Sequence, residues 1–204
     1  MNSKSKLQVY FDSKRENSEY IDMYEKNLDF FNDLLLSGRK EEIEYVLPIK
    51  MFKYADSLNL TGNHKKAFTV LNEIDRDLEK LKGRSKWYNQ YFESLTFLKG
   101  VCLGRLKKYR KSNIEFEKLL RKKPDNDNFK DWFKTNKKKQ IGQIFDSLII
   151  IAMIYYFAIL ILGFIYTKLD NFIIRDIGLI IAISSYSISY FWKKTIDKAT
   201  LKFT

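Results

Sequence analysis

A run of 21 uncharged residues, Ser147–Thr167, constrains this chain more than any other stretch. As an α-helix it would be roughly 31 Å long, which matches the ~30 Å hydrocarbon core of a bilayer. A second uncharged run, Ile177–Trp192, follows after a charged break of nine residues. This run would span only roughly 24 Å, so it needs the residues before it or a locally thinner bilayer. The sequence therefore predicts a transmembrane hairpin in residues 147–192, with helices at 147–167 and about 173–192.

Small residues recur along one face of the second predicted helix, at spacings of four, three and four positions. Such stripes let helix backbones approach closely, and serine hydroxyls can bridge the helices. We expect this face to pack within the hairpin. The alternative is that several hairpins assemble and turn a face lined by serine and tyrosine to a pore. The residues of the small face are Gly178, Ala182, Ser185 and Ser189.

Basic residues flank the predicted hairpin on both sides, whereas the loop between its helices has two basic and two acidic residues. The positive-inside rule then places both termini, and the domain before the hairpin, in the cytoplasm. No apolar signal segment is expected in the polar N-terminal stretch. The lysines expected to contact lipid headgroups are Lys130, Lys134, Lys137, Lys138 and Lys139 before the hairpin, and Lys193 and Lys194 after it.

The net charge of +12 is concentrated in the segment that leads into the hairpin. Residues 1–98 carry 16 basic and 16 acidic side chains, whereas residues 99–140 carry 15 basic and 5 acidic ones. A basic segment can bind nucleic acid, but the adjoining apolar run favours anionic lipid headgroups, where each Lys or Arg contributes about 1 kcal/mol. We therefore predict an anionic membrane, and not nucleic acid, as a partner.

Residues 18–126 have the apolar spacing of amphipathic helices and predict one helical domain. This domain follows a flexible N-terminus, residues 1–17, and precedes a basic juxtamembrane segment, residues 127–146, while residues 193–204 form a basic tail. Pro48 is expected to end a helix, because its ring disfavours a helical residue before it. The predicted helices cover residues 18–35, 40–46, 49–60, 64–81, 87–106, 109–122 and 127–140, and the last is expected to run into the membrane helix.

Residues Glu93–Asn126 resemble a tetratricopeptide repeat (TPR), a helix–turn–helix unit of about 34 residues. Pro124 corresponds to the closing proline of the repeat. Ser112 and Leu119 depart from the pattern, which has small residues such as alanine there, and they suggest altered packing. The matching positions are the small residue Gly100 in the first helix, and Tyr109, Phe116 and Leu120 in the second.

A weaker match covers Pro48–Glu79, which starts 45 residues before the other unit rather than 34. Its second helix is then longer, or an insertion follows it. Residues 18–46 would be a third, degenerate helix pair. The resemblance implies an all-α protein, a TPR-like α-solenoid of helical hairpins followed by two transmembrane helices. In this weaker unit Tyr54 and Ala55 replace the usual Leu-Gly pair, and the matching positions are Leu58, Gly62 and Ala67.

The resemblance also implies that residues of the first helix of each unit line a concave groove that binds a partner protein or peptide. Some repeat proteins hold a peptide carboxylate with Lys and Asn, but Phe52 and Asp56 stand at those positions, so this activity is not transferred. The alternative is that Phe52 and Phe97 are core residues between helices. The predicted groove residues are Phe52, Asp56 and Asn59 in the first unit, and Ser94, Phe97, Val101 and Arg105 in the second.

Few residues have the chemistry of a catalytic or metal site. His64 is the only histidine and Cys102 the only cysteine, whereas nucleophilic triads and most zinc sites need histidine or several cysteines. The eight glycines form no phosphate-binding loop. We therefore expect no enzyme activity, no cofactor and no metal. His64 is expected to be exposed in a turn, and Cys102 to be a core residue.

The sequence as a whole predicts a membrane-anchored scaffold or adaptor, whose cytoplasmic TPR-like domain binds a partner protein or peptide. Anchoring would raise the effective concentration of that partner at the membrane. The alternative is a membrane effector, whose hairpins assemble into homo-oligomers and permeabilise the bilayer.

Overall fold

The computed structural model describes residues 3–165 together with residues 183, 184, 186, 187 and 190. Within these residues the chain is helical and contains no β-strand, so the prediction of an all-α protein is confirmed. The chain divides into two compact units, residues 1–136 and residues 137–204, which are called the N-terminal and C-terminal units. Both hydrophobic clusters described below belong to the N-terminal unit.

Successive helices of the N-terminal unit are joined by short turns and pack against one another. The helices of the described chain are α1 Ser3–Asp12, α2 Asn17–Lys26, α3 Leu28–Leu36, α4 Lys40–Pro48, α5 Asp56–Leu60, α6 His64–Glu79, α7 Tyr88–Arg105, α8 Tyr109–Lys122 and α9 Asp127–Ile165. Helix α6 packs against α5 and α7, and α7 packs against α8. The first residues of α9 pack against α7 and α8 through Phe129 and Trp132.

The N-terminal residues form a helix, whereas the sequence predicted a flexible start. Leu7 and Phe11 of α1 are buried. The Phe11 ring lies 6.0 Å from the rings of both Tyr20 and Phe31, so α1 is held by aromatic contacts to α2 and α3. The apolar residues of α1 are too few for the sequence alone to specify a helix, and tertiary packing supplies the rest.

The predicted helix over residues 18–35 is two helices, because Asn27 interrupts it. The Asn27 backbone departs from helical angles, at φ −117° and ψ 22°. Its side-chain amide donates to the backbone carbonyl of Met23 at 2.8 Å. Asparagine side chains compete in this way with the backbone for hydrogen bonds, which favours a break.

The prediction that a helix ends before Pro48 is wrong, since residues 40–60 form one continuous helical stretch. Pro48 is the last residue of α4, and a π-helical segment, Ile49–Ala55, connects α4 to α5. The backbone N–H of Asp56 bonds to the carbonyl of Met51, five residues earlier. Proline lacks an N–H and crowds the turn before it, yet α4 continues through Pro48 into the π-helical segment.

The larger hydrophobic cluster is centred on three stacked aromatic rings. The Tyr24 ring is 4.6 Å from the Phe31 ring and 4.2 Å from the Tyr54 ring. Tyr54 is buried, and its hydroxyl donates to Glu25 Oε1 at 3.0 Å. This stack fixes the π-helical segment against α2 and α3, and so positions α5 beyond it.

A buried lysine links the π-helical segment to α6. Lys50 is only 5% exposed, and its ammonium lies 3.0 Å from Glu73 and 3.9 Å from Asp77. A buried cation requires such partners, because leaving it unpaired costs several kcal/mol (roughly 3–5). The ion pairs therefore fix the position of α6 beside the stretch 40–60.

The smaller hydrophobic cluster joins α7, α8 and the start of α9, and consists of Val101, Phe116, Leu119 and Phe129. Gly100 makes the close approach of α7 and α8 possible. A Cβ atom at Gly100 would lie 2.9 Å from the Phe116 ring, closer than real side chains come. The N-terminal unit therefore extends through the first turns of α9.

Candidate functional site

Three hydrogen bonds join the ends of α5, α6 and α7. The Arg105 guanidinium donates to the backbone carbonyl of Asn59, with an Nη1···O distance of 2.7 Å. The Asn59 side chain contacts the imidazole of His64, with an Oδ1···Nδ1 distance of 3.0 Å. The Cys102 thiol donates to the backbone carbonyl of His64, with an Sγ···O distance of 3.0 Å. The α5–α6 turn and the α7–α8 turn therefore lie at the same end of the N-terminal unit.

His64 and Cys102, the only histidine and the only cysteine of the chain, both take part in these hydrogen bonds. His64 is half-buried, whereas the sequence predicted an exposed residue. Cys102 is fully buried, as predicted, and burial raises the pKa of its thiol to about 11. A thiol with this pKa stays protonated at neutral pH.

Asp56 and Arg105 place opposite charges on neighbouring helices. Asp56 is half-buried at the start of α5, and burial raises the pKa of its carboxyl, while the Arg105 charge acts in the opposite direction. Arginine has five N–H donors, and the bond to Asn59 comes from Nη1. The pair therefore offers a ligand both a carboxylate acceptor and guanidinium donors.

Phe52 adds an exposed aromatic ring to the same helical stretch. It lies in the π-helical segment four residues before Asp56, and 42% of its surface is exposed. Most phenylalanines of the N-terminal unit are buried or half-buried, so this ring is unusual. Phe52, Asp56 and Arg105 are together called the α5–α7 surface.

The other predicted groove residues are buried or half-buried. Asn59 and Val101 are buried. Phe97 is half-buried, and its ring is 6.0 Å from Phe116 and 5.7 Å from Phe129. Ser94 is half-buried on α7. The sequence could not separate these positions, because both a groove and a core between helices use the same helical spacing.

Sequence reasoning missed the role of Asn136, which links α9 to α8. Its side-chain amide donates to the Ser112 hydroxyl at 2.8 Å, and Ser112 donates to the backbone carbonyl of Gly100 at 2.6 Å. Both side chains are buried. The only signal was Ser112, where the repeat pattern has alanine. Altered packing was expected there, and the structure contains a polar link between three helices.

The apolar part of α9 is exposed along its described length. No residue from 147 to 159 is buried. Ile151 and Ile154, for example, are 61% and 64% exposed. Among the described residues one helix is long and apolar enough to cross a membrane, and the qualifying stretch is Asp127–Ile159. The core helix of a soluble protein would instead be mostly buried.

The predicted headgroup lysines differ in their environments. Lys130 forms an ion pair with Asp127 in the first turn of α9, at 3.6 Å. Lys134 and the three consecutive lysines 137–139 are exposed. The second predicted membrane helix and its small face (Gly178, Ala182, Ser185 and Ser189), as well as Lys193 and Lys194, lie outside the described residues.

Among the described residues no group of His, Cys, Asp and Glu side chains could hold a metal ion. Within the described residues, the helices and the exposed apolar part of α9 thus define an all-α protein with one candidate membrane-spanning helix. Comparisons of the chain with protein-family models, with curated proteins and with solved structures found no match in any of the three.

Proposed function

We propose that this protein is a membrane-anchored adaptor, in which α9 enters a bilayer and the α5–α7 surface binds a partner protein or peptide. The exposure of the apolar part of α9 carries the proposal, because no residue from 147 to 159 is buried in the chain. Exposed apolar surface costs about 25 cal/mol per Å² in water, and a bilayer removes this cost.

The topology of the anchor follows from the residues outside the described part of the chain. The uncharged run that ends at Trp192 would return the chain across the bilayer and complete a hairpin. The basic residues on both sides of this hairpin favour a cytoplasmic location for the N-terminal unit and for both termini. The partner is then a cytoplasmic protein or peptide.

Helix packing supports the interpretation of residues 48–126 as two TPR-like hairpins. Gly100 and Phe116, which match a small and an aromatic position of the repeat, approach each other closely. Ala67, the small residue of the weaker unit, is fully buried. In this interpretation the N-terminal unit is a short α-solenoid, and the α5–α7 surface lies between neighbouring units.

Phe52, Asp56 and Arg105 would have different roles in binding the partner. Aromatic and arginine side chains contribute most of the binding energy in many interfaces, so Phe52 and Arg105 are the expected anchors. The Asp56 carboxyl, which is partly desolvated, would accept a hydrogen bond or pair with a basic residue of the partner. A peptide with one apolar and one polar group a few residues apart fits this pattern.

The test compares two exposed aromatic rings on the same full-length protein. Phe52 and Trp87 are 42% and 43% exposed, but only Phe52 belongs to the α5–α7 surface. Wild type, Phe52→Ala and Trp87→Ala are purified from native membranes in mild detergent, and the proteins that co-purify are identified. We expect one partner with wild type and Trp87→Ala that is lost with Phe52→Ala. Equal recovery by all three variants would contradict the proposal.

The same preparation distinguishes the alternative function. If the protein recovers only copies of itself, and liposomes that contain it release a trapped dye, the hairpins assemble and permeabilise the bilayer. If liposomes stay sealed and a partner is recovered, the hairpin is an anchor.

A further inference from the structure

The fold gathers the excess positive charge of the N-terminal unit at one end. Residues 57–72 contain two basic and no acidic side chains, and residues 99–114 contain six basic and no acidic ones. By contrast, residues 73–98 and residues 115–131 each contain five basic and five acidic side chains. The two segments without acidic residues surround the α5–α6 turn and the α7–α8 turn, which are far apart in sequence.

Tertiary contacts bring these two turns together with α9. The bond from Arg105 to the carbonyl of Asn59 joins the two turns, at 2.7 Å. The bond from Asn136 to Ser112, at 2.8 Å, places α9 beside the first turn of α8. Asn136 is also the last residue of the N-terminal unit. The chain therefore leaves this unit at the end where the basic segments meet, and the apolar run begins at Ser147.

Several cations at this end are exposed and have no ionic partner among the described residues. They are called the basic end and comprise Lys65, Lys108, Arg110, Lys111 and Lys134. Lys66 is not included, because it binds Glu25 at 2.7 Å, and Asp56 at the border of the first segment faces Arg105. At the other end of α8, Lys123 binds Glu93 at 2.6 Å. Because residues 73–98 and 115–131 are charge-balanced, the net positive charge of these helices lies at the basic end.

Helix stability does not explain the basic end. Cations stabilise the carboxyl end of a helix and are unfavourable near its amino end, because of the helix dipole. Yet the first turns of α6 and α8 contain Lys65, Arg110 and Lys111, and neither first turn contains an acidic residue. These charges therefore act against the local structure, which indicates a role outside it.

We propose that the basic end binds the anionic headgroups of the bilayer that α9 enters, so that the α5–α6 and α7–α8 turns face the membrane. This inference rests on the proposed membrane anchor. Headgroup contact is thereby assigned to two turns that are distant from the hairpin in sequence. Lys130 is no longer among the expected headgroup contacts, because it pairs with Asp127 in the first turn of α9. Exposed lysines within about one Debye length of anionic lipid (~8–10 Å) are attracted to it.

The experiment measures the distance of each end from the headgroups. Full-length protein is placed in lipid nanodiscs of phosphatidylcholine alone or with phosphatidylglycerol. A fluorophore is attached to Asn63→Cys in the α5–α6 turn or to Asn89→Cys near the start of α7, since both side chains are exposed. The native Cys102 is buried and stays unlabelled. Quenching by headgroup spin labels is then recorded.

We expect strong quenching at position 63 in the anionic discs only, and weak quenching at position 89 in both. The variant Lys108→Gln/Arg110→Gln/Lys111→Gln should lose the quenching at position 63. The matched control Arg121→Gln/Lys122→Gln/Lys123→Gln removes three charges from the other end of the same helix and should keep it. Equal quenching in all variants, or equal loss in both, would overturn the proposal.

Two further measurements distinguish headgroup contact by the basic end from membrane anchoring and from nucleic-acid binding. If the wild-type protein does not co-elute with the discs, the membrane anchor itself is refuted. If it co-elutes without quenching, only the contact of the basic end is refuted. Binding of DNA that depends steeply on salt and is lost with the triple variant at Lys108, Arg110 and Lys111 would assign the basic end to nucleic acid and also overturn the proposal.

Discussion

The Arg105 guanidinium on α7 donates a hydrogen bond to the backbone carbonyl of Asn59 at the end of α5, with an Nη1···O distance of 2.7 Å. The bond joins two turns that are 46 residues apart in the chain. Arg105 belongs to the α5–α7 surface, and its bond joins the two turns near which the basic end lies, so the candidate site depends on this contact. We expect Arg105→Ala to lower the free energy of unfolding by about 1 kcal/mol, since the donor is charged but its side chain is exposed.

Urea unfolding of the full-length protein in detergent, followed by tryptophan fluorescence, measures this change. The control is Lys108→Ala, because Lys108 is exposed and has no ion pair among the described residues. Its effect should stay within about 0.5 kcal/mol. If the two variants unfold at the same urea concentration, the Arg105 bond does not stabilise the contact between the α5–α6 and α7–α8 turns.

The Asp56 carboxyl should make the free energy of unfolding depend on pH. Burial raises the pKa of its carboxyl in the folded protein. The folded state then holds the proton more tightly than the unfolded state, so stability falls as the pH rises from the ordinary carboxyl pKa through the raised one. Asp56→Asn should therefore be more stable than wild type at neutral pH and should lack this part of the pH dependence.

The Asp56 prediction is checked by urea midpoints over a series of pH values. The gain from Asp56→Asn should be larger when Arg105 is also replaced by Ala, because the Arg105 charge opposes the effect of burial. A gain that is the same with and without Arg105 would show that the two charges do not interact.

Gly100 is expected to tolerate no side chain. An added Cβ would lie 2.9 Å from the Phe116 ring, so Gly100→Ala must displace that ring or separate α7 from α8. Overpacking of this kind costs about 1–3 kcal/mol. Gly142→Ala is the control, since nothing lies within 4 Å of its Cβ position and alanine favours the helix.

Thermal unfolding followed by circular dichroism distinguishes the two glycine variants. We expect a lower midpoint for Gly100→Ala and an equal or higher one for Gly142→Ala. The further change Phe116→Leu, which removes the ring that the new methyl group meets, should restore part of the loss. Two equal midpoints would mean that the helices adjust at no cost.

The membrane anchor is tested at Ile154, which is 64% exposed in the apolar part of α9. An arginine at the centre of a membrane helix costs roughly 2.5–3.5 kcal/mol on insertion scales. Ile154→Arg should therefore increase the fraction of protein that alkaline carbonate extracts from membranes. The matched change Asn128→Arg, at an exposed position in the first turn of α9, should have no effect. Equal extraction of both variants would place α9 outside the bilayer.

Several features of the fold could be predicted from the residues because their physical cause is local. The spacing of apolar residues and the Lys-Pro-Asp sequence that follows defined α8 as residues 109–122, which the structure reproduces. The effects of Asn27 and Pro48 on their helices were harder to predict, because each depends on local interactions that compete with the helical backbone. The Asn27 side-chain amide competes with the backbone where one helix breaks, and another helix continues through Pro48 into the π-helical segment.

The spacing of apolar residues could not show which predicted groove residues are exposed and which pack between helices. Phe52 and Phe97 recur at similar positions in the two units, but one ring is exposed while the other contacts Phe116 and Phe129. Whether a helix face meets solvent or another helix depends on what packs above it. Here the start of α9 covers Phe97, and no sequence pattern in α7 encodes that contact.

The sequence by itself determined that this is a helical chain with a long uncharged segment, because helical periodicity and the absence of charge are properties of adjacent residues. Only the tertiary structure decided which of its many cations share a surface. The segments around residues 57–72 and 99–114 are distant in the chain, and they meet because the bond from Arg105 to Asn59 joins their turns. Electrostatic potential depends on distance in space, and only the packed helices define that distance.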